Sequence, residues 1–238
     1  MKGNGPGCVT KRMQDKKVVL FAKDKPGLKK ALGILRKCFG IVDSFIGKVG
    51  DPFPRGVERH GYDICISYLS PWIVPSGVLD SIREFSINFH PGPPEYRGIG
   101  CTNFAIYNGE TKYGVTAHLM AANVDSGRIV DVARFAISPG DTVYSLTQKC
   151  YDHLARQFHR VFEKYVSTGA LSCCSATERW SDRLYTRREL NDLCRLSPDM
   201  EKDEIARRIK ATAYPAMQGA CLELHGYRFV YMPEAHGK

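Results

Sequence analysis

The apolar run Val18-Val19-Leu20-Phe21 and the helical stripe that follows it restrict the fold more than any other feature of the chain. Four consecutive apolar residues leave no side for solvent, so a strand from Lys17 to Ala22 must be covered on both faces, as strands of a parallel sheet are. Leu28, Leu32, Leu35 and Phe39 then recur at helical spacing, with Pro26 placed for a first turn, which predicts a helix from Pro26 to Phe39. Val42 to Ile46 and Tyr62 to Tyr68 read as two further strands, and Ser76 to Arg83 as a short helix. This alternation predicts an α/β chain with a Rossmann-like, doubly wound, mainly parallel sheet. A nicotinamide cofactor is not expected, because Ala22-Lys23-Asp24-Lys25-Pro26-Gly27 stands where Gly-x-Gly-x-x-Gly would follow the first strand. Lys23, Lys25 and Lys29 suit an anionic substrate and equally a solvated helix start.

Chemistry concentrates between Ser86 and Asp125. Ser86-Ile87-Asn88-Phe89-His90 alternates as a strand does, and Pro91, Gly92, Pro93 and Pro94 stop it. Asn88 and His90 are two apart and so project to the same side. Gly114 to Met120 gives a second strand carrying Thr116 and His118, followed by a loop that closes at Asp125-Ser126-Gly127. An amide, two imidazoles and a carboxylate thus arrive at the ends of neighbouring strands. They suit transfer of an acyl unit from one nitrogen to another. An amine attacking a formyl carbonyl builds an oxyanion and a cationic nitrogen together, which calls for donors to the first and a base for the second. Asn88 can donate its amide hydrogens, His90 can assist, and Asp125 can receive the proton directly or through water. Neither a serine nor a cysteine nucleophile is required, and Cys101 has no part in this chemistry.

Asn88-Phe89-His90-Pro91-Gly92, Tyr96-Arg97-Gly98, Gly114-Val115-Thr116-Ala117-His118 and Asp125-Ser126-Gly127, in that order, resemble the formyltransferase family that uses 10-formyltetrahydrofolate. The similarity runs over residues 60–170, and the family includes glycinamide ribonucleotide, methionyl-tRNA and amino-sugar N-formyltransferases. The resemblance implies a catalytic triad of Asn88, His90 and Asp125. It implies that Thr116 and His118 support the carboxylate and line the substrate side, with Tyr96 and Arg97 near a sugar entrance. It also implies 10-formyltetrahydrofolate as co-substrate and no metal. The pterin would be gripped chiefly through the backbone at Tyr68, Leu69 and Ser70 and at Met120, Ala121, Ala122 and Asn123. Trp72 and Ile73, in a proline-bounded loop, fit that slot and the core equally well.

The net charge of +9 raises the question of a nucleic-acid partner. Residues 1–37 hold eleven Lys and Arg against Asp15 and Asp24, and the remainder balances, so the excess belongs to the leading segment. A nucleic-acid face would spread its charge over the fold, and the expectation is that nucleic acid is not a partner. Residues 1–16, with Gly3, Gly5, Pro6 and Gly7, read as a flexible basic arm. Nine cysteines without a Cys-x-x-Cys pair fit reduced thiols, and adjacent Cys173 and Cys174 make a poor zinc site. No run approaches the length of a membrane span and no signal-type segment follows the basic start, so a soluble cytoplasmic protein is expected.

Arg128 to Ile137 predicts another strand and Asp141 to Val166 a long helix with an N-cap at Asp141-Thr142 and Gly169 after its end. The expected organisation is a catalytic domain over 17–169 and, over 170–238, a small-residue linker with a C-terminal helix-plus-β-hairpin extension. That tail resembles the extension of the nucleotide-sugar N-formyltransferases and favours a nucleotide-linked amino sugar as substrate. Glycinamide ribonucleotide and methionyl-tRNA remain alternatives, as does a non-catalytic folate- or nucleotide-binding module. Leu222, Leu224, Tyr227, Phe229 and Tyr231 give the hairpin an apolar face, suited to a homodimer or to packing on its own domain.

Overall fold

The computed structural model describes residues 13–172, 177–215, 217 and 219–232, so Cys173, Cys174 and most of the basic arm lie outside the described residues. Two packing units divide the chain. One runs through Glu95 and takes in Gly114–Arg134 and Cys150–Trp180; the other comprises Tyr96–Tyr113, Phe135–Lys149 and Ser181 onward.

Elements β1 (Lys17–Ala22), α1 (Leu28–Cys38), β2 (Ile41–Ile46), β3 (Ile64–Tyr68), α2 (Ser76–Ser81) and β4 (Phe85–His90) follow one another as the hydrophobic pattern predicts. β1 lies between β2 and β3, and β3 between β1 and β4, all in parallel. The full order is β2-β1-β3-β4-β6-β7, completed by β6 (Lys112–Leu119) and β7 (Ile129–Ala136). β6 runs antiparallel to β4. The apolar run of β1 and the fully buried β3 occupy the middle, where both faces are covered, while β2 at the edge has only exposed and partly buried positions.

Each sheet face has its own core. On one, Phe158 and Phe162 of α4 (Val143–Thr168) meet Phe89, with ring centroids 4.8 and 6.3 Å away, and Phe158 meets Tyr68 at 5.6 Å. Tyr68 is fully buried and its hydroxyl lies under Gly27, where a β-carbon would collide with it. Burial, reinforced by Tyr151 and Asp152, pushes that phenol's pKa up. On the other face Val19, Phe21, Val57, Cys65, Val74 and Val78 pack together, with Phe53, Trp72 and Met120 against them. Trp72 belongs to this core, 6.1 Å from Phe21 with its indole N–H on the Asp51 carbonyl at 2.9 Å, whereas Ile73 is 75% exposed.

The second unit contains α3 (Cys101–Tyr107), a two-residue ladder of β5 (Arg97–Gly98) with β8 (Leu184–Tyr185), α5 (Arg187–Cys194), β9 (Arg195–Leu196) and α6 (Lys202–Thr212). It ends in the hairpin of β10 (Cys221–Leu224) and β11 (Tyr227–Val230), turned by His225 and Gly226 at φ 50 and 82. Both residues lie in the left-handed region that a tight two-residue turn requires. Asn103 donates to the Ala211 carbonyl at 2.8 Å and Tyr107 to Glu204 at 2.9 Å, fastening α3 to α6. Among the described residues, no helix is long and apolar enough to cross a membrane.

Candidate active site

β4 and β6 meet in a register that places Asn88 opposite His118 and His90 opposite Thr116. Directly opposed positions on one face bring side chains within reach of each other. The Asn88 amide nitrogen lies 3.0 Å from His118 Nε2, and His118 Nδ1 lies 2.8 Å from the Leu119 carbonyl oxygen. A carbonyl oxygen can only accept, so His118 donates through Nδ1. Its Nε2 then accepts from Asn88, which fixes that amide with its second hydrogen free to serve a ligand. Asp125 enters from the loop after β6, its Oδ1 3.4 Å from His118 Nε2 and its Oδ2 3.4 Å from His90 Nδ1. Both imidazoles and the carboxylate are buried, while Asn88 is half-buried.

Backbone geometry holds Asp125 where it is. Asp125 itself adopts φ 47, a left-handed conformation that short polar side chains tolerate. Two residues on, Gly127 passes so close to β6 that a β-carbon would collide with the Leu119 carbonyl oxygen. Thr116 donates to the Gly92 carbonyl at 2.8 Å, tying the turn after His90 to β6. Thr116 therefore steadies that turn, beside the face where His118 lies 3.4 Å from Asp125.

Met120, Ala121 and Ala122 line a cavity of about 360 Å³ together with Ser86 and the α2 residues Ser76 and Leu79. Tyr68, Leu69, Ser70 and Asn123 are not among its lining. Tyr68 turns its ring into the core, Leu69 bends the chain at φ 52, and Ser70 caps the next turn by accepting from Trp72 N–H at 3.0 Å. Asn123 is exposed, and its carbonyl accepts from Ser126 at 2.8 Å.

In the second unit Tyr96 is held on several sides. It is 4% exposed, stacked 5.5 Å from Tyr185, and its hydroxyl donates to Glu110 at 2.8 Å and accepts from Asn108 at 2.9 Å. Burial comes first among the causes that push its pKa up. Arg97 is half-buried and donates to the Ser181 carbonyl at 2.8 Å.

Trp180 closes the stretch that composition marked as a linker, and sequence reasoning passed it over. Its ring centroid lies 4.9 Å from that of His118, at 89°, and 6.0 Å from that of His90. Its indole N–H donates to the Gly127 carbonyl at 2.7 Å. Close by in sequence, Glu178 pairs with Arg134 at 2.7 Å, and Arg134 also pairs with Glu95 at 2.9 Å. A lone tryptophan amid small and polar residues was the available signal, since the chain has only two.

Comparison with known proteins adds the following. Residues 57–162 match the formyl transferase family model. A GDP-perosamine N-formyltransferase of Brucella melitensis is 28% identical over 172 residues, which is 72% of this chain and 64% of that protein, so the match spans less than two thirds of the relative's length. A 4-N formyltransferase from Francisella tularensis superposes with a TM-score of 0.75 at 18% identity, covering 91% of this chain and 96% of that one. The N-formyltransferase from Helicobacter canadensis, solved with folinic acid and dTDP-3-aminofucose, superposes with a TM-score of 0.68 at 18% identity, covering 89% and 85%. At these identities the structural likeness establishes a shared fold.

Proposed function

We propose that this chain, whose residues 57–162 match the formyl transferase family model, moves a formyl group from 10-formyltetrahydrofolate to the primary amine of a nucleotide-linked amino sugar. The observation that carries the reading is the gathering of Asn88, His118, His90 and Asp125 in one place, with the amide 3.0 Å from His118 and the carboxylate 3.4 Å from each imidazole. The amine attacks the formyl carbon, and the oxyanion that forms receives the free Asn88 hydrogen and a donor hydrogen from His90. Asp125 takes the proton of the new ammonium, and collapse breaks the bond to N10 of the folate, which leaves with that proton. Pre-set donors of this type lower the barrier because they need no reorganisation as charge develops.

The Helicobacter enzyme's folinic acid and dTDP-3-aminofucose support the co-substrate and the substrate class, and the Brucella relative supports an amino sugar on a nucleoside diphosphate. In this reading the pterin, a flat ring, enters the cavity beside Met120, Ala121 and Ala122. A homodimer through β10 and β11, acting in the cytoplasm, completes the reading. Incubation with 10-formyltetrahydrofolate and a panel of dTDP-, UDP- and GDP-amino sugars, glycinamide ribonucleotide and methionyl-tRNA tests it by donor consumption. Turnover with a nucleotide amino sugar is expected. Turnover confined to glycinamide ribonucleotide or tRNA overturns the substrate class, and pterin binding without turnover of any amine leaves only a binding module.

A further inference from the structure

We infer that Trp180 is a positioning residue that keeps water from the catalytic imidazoles, so that the acceptor amine rather than solvent reaches the formyl carbonyl. The inference rests on formyl transfer as the reaction. The groups that promote transfer also suit hydrolysis. In transfer, the carbon–N10 bond breaks, a carbon–nitrogen bond to the amine forms, and the amine's proton leaves on N10. In hydrolysis water supplies the new carbon–oxygen bond, formate leaves, and one proton of the water goes to N10 and the other to solvent. Discrimination then depends on which nucleophile can reach the carbon, and excluding water from a site is an established means of preventing side reactions.

Trp180 is placed to do this. Its indole stands edge-on to His118 at 4.9 Å and near His90 at 6.0 Å, and the two histidines are 2% and 4% exposed. Asn88 stays half-buried, so the cover lies over the imidazoles and leaves the amide open to ligand. One end of the indole is held by the Gly127 carbonyl, in the loop that delivers Asp125. The segment leading to it is held by Glu178 on Arg134, which Glu95 also grips; these two carboxylates push the guanidinium pKa up, Glu178 foremost. The ring thus covers the two imidazoles, and its hydrogen bond and tether hold it there.

Formate release from 10-formyltetrahydrofolate with no amine present gives a direct reading that needs no knowledge of the acceptor. Trp180→Ala should raise that release on the order of tenfold over the unsubstituted protein, while Trp180→Phe, which keeps a ring over His118, should stay near it. No rise in the alanine variant, or an equal rise in the phenylalanine variant, overturns the inference. A second measurement is independent of the reaction. The His118 Nδ1 hydrogen, held on the Leu119 carbonyl, should exchange slowly in the nitrogen-15 spectrum of the ligand-free protein and markedly faster in Trp180→Ala of unchanged circular dichroism. Equal exchange in the two proteins also overturns it. Slow exchange lost in the variant, in a protein that formylates no amine and releases no formate, would sustain the water cover and remove formyl transfer.

Discussion

Asn88 is oriented by a histidine from the neighbouring strand, so its contribution is sensitive to loss of the amide and to loss of its partner. Replacing Asn88 by Ala should lower turnover on the order of 100- to 1,000-fold with folding unchanged, the usual cost of one oxyanion donor. Single-turnover kinetics beside circular dichroism checks this, and near-normal rates would remove Asn88 from the chemistry. Asn88 and His90 were legible in the sequence because strand periodicity puts them on one side, and Asp125 because its loop follows a second patterned strand. Trp180 was not, since its contact with Gly127 joins residues 53 apart and no local period signals such a partner. Cys65 illustrates the opposite case, a chemically capable group made inert by its place. Burial pushes its thiol up to about 12, outweighing the hydrogen bond with Ser86 that lowers it. Iodoacetamide at mildly alkaline pH should leave Cys65 unmodified in the native protein and label it after denaturation, as peptide mass mapping would record.

Helices and strands carried by long patterns were readable, and those held by a few contacts were not. β1 shows an unbroken apolar run and β4, β6 and α4 a period of two or of 3.6, whereas β5, β8 and β9 are two residues long and have no pattern to read. α3, at seven residues, buries Cys101, Phe104 and Ala105 at helical spacing but is too short for the pattern to stand out. Local chemistry within these elements still gives testable consequences. Thr186 accepts from Glu189 N–H at 3.2 Å, and Glu189 reaches back to the Thr186 N–H at 2.8 Å, a reciprocal cap at the start of α5. Thr186→Ala should cost about 1 kcal/mol, read as a lowered Tm. At α6, Glu204 is held down to about 2, chiefly by the Arg208 guanidinium, which outweighs the opposing effect of burial, with Tyr107 and Arg207 adding to it. A carboxylate depressed in the folded state stabilises above its unfolded value and loses that contribution as pH falls toward 2. The Tm difference between the unsubstituted protein and Glu204→Gln should therefore be present near neutrality and shrink from about pH 4.5 downward.

At the scale of the molecule, the apolar hairpin asks for a cover. Tyr227, Phe229 and Tyr231 are 72, 57 and 44% exposed, and unpartnered strand edges of this kind commonly pair with a second copy. Light scattering at micromolar concentration should report a dimer, and Phe229→Glu should shift it to monomer; a monomer without the substitution rejects the interface. The parallel order at one side of the sheet followed from β–α alternation, but the antiparallel turn to β6 did not, because the segment between His90 and Lys112 carries too little pattern to show which way the chain returns. That return has a consequence in time. Asn88 and His118 lie 30 positions apart and meet only when the β4–β6 ladder closes in register, and a slip of one residue would turn Asn88 and His90 to the opposite face. Long-range pairing is slow to form compared with helices. On dilution from denaturant, recovered turnover should lag behind the helical signal, which makes enzymatic activity a clock for the closing of the sheet.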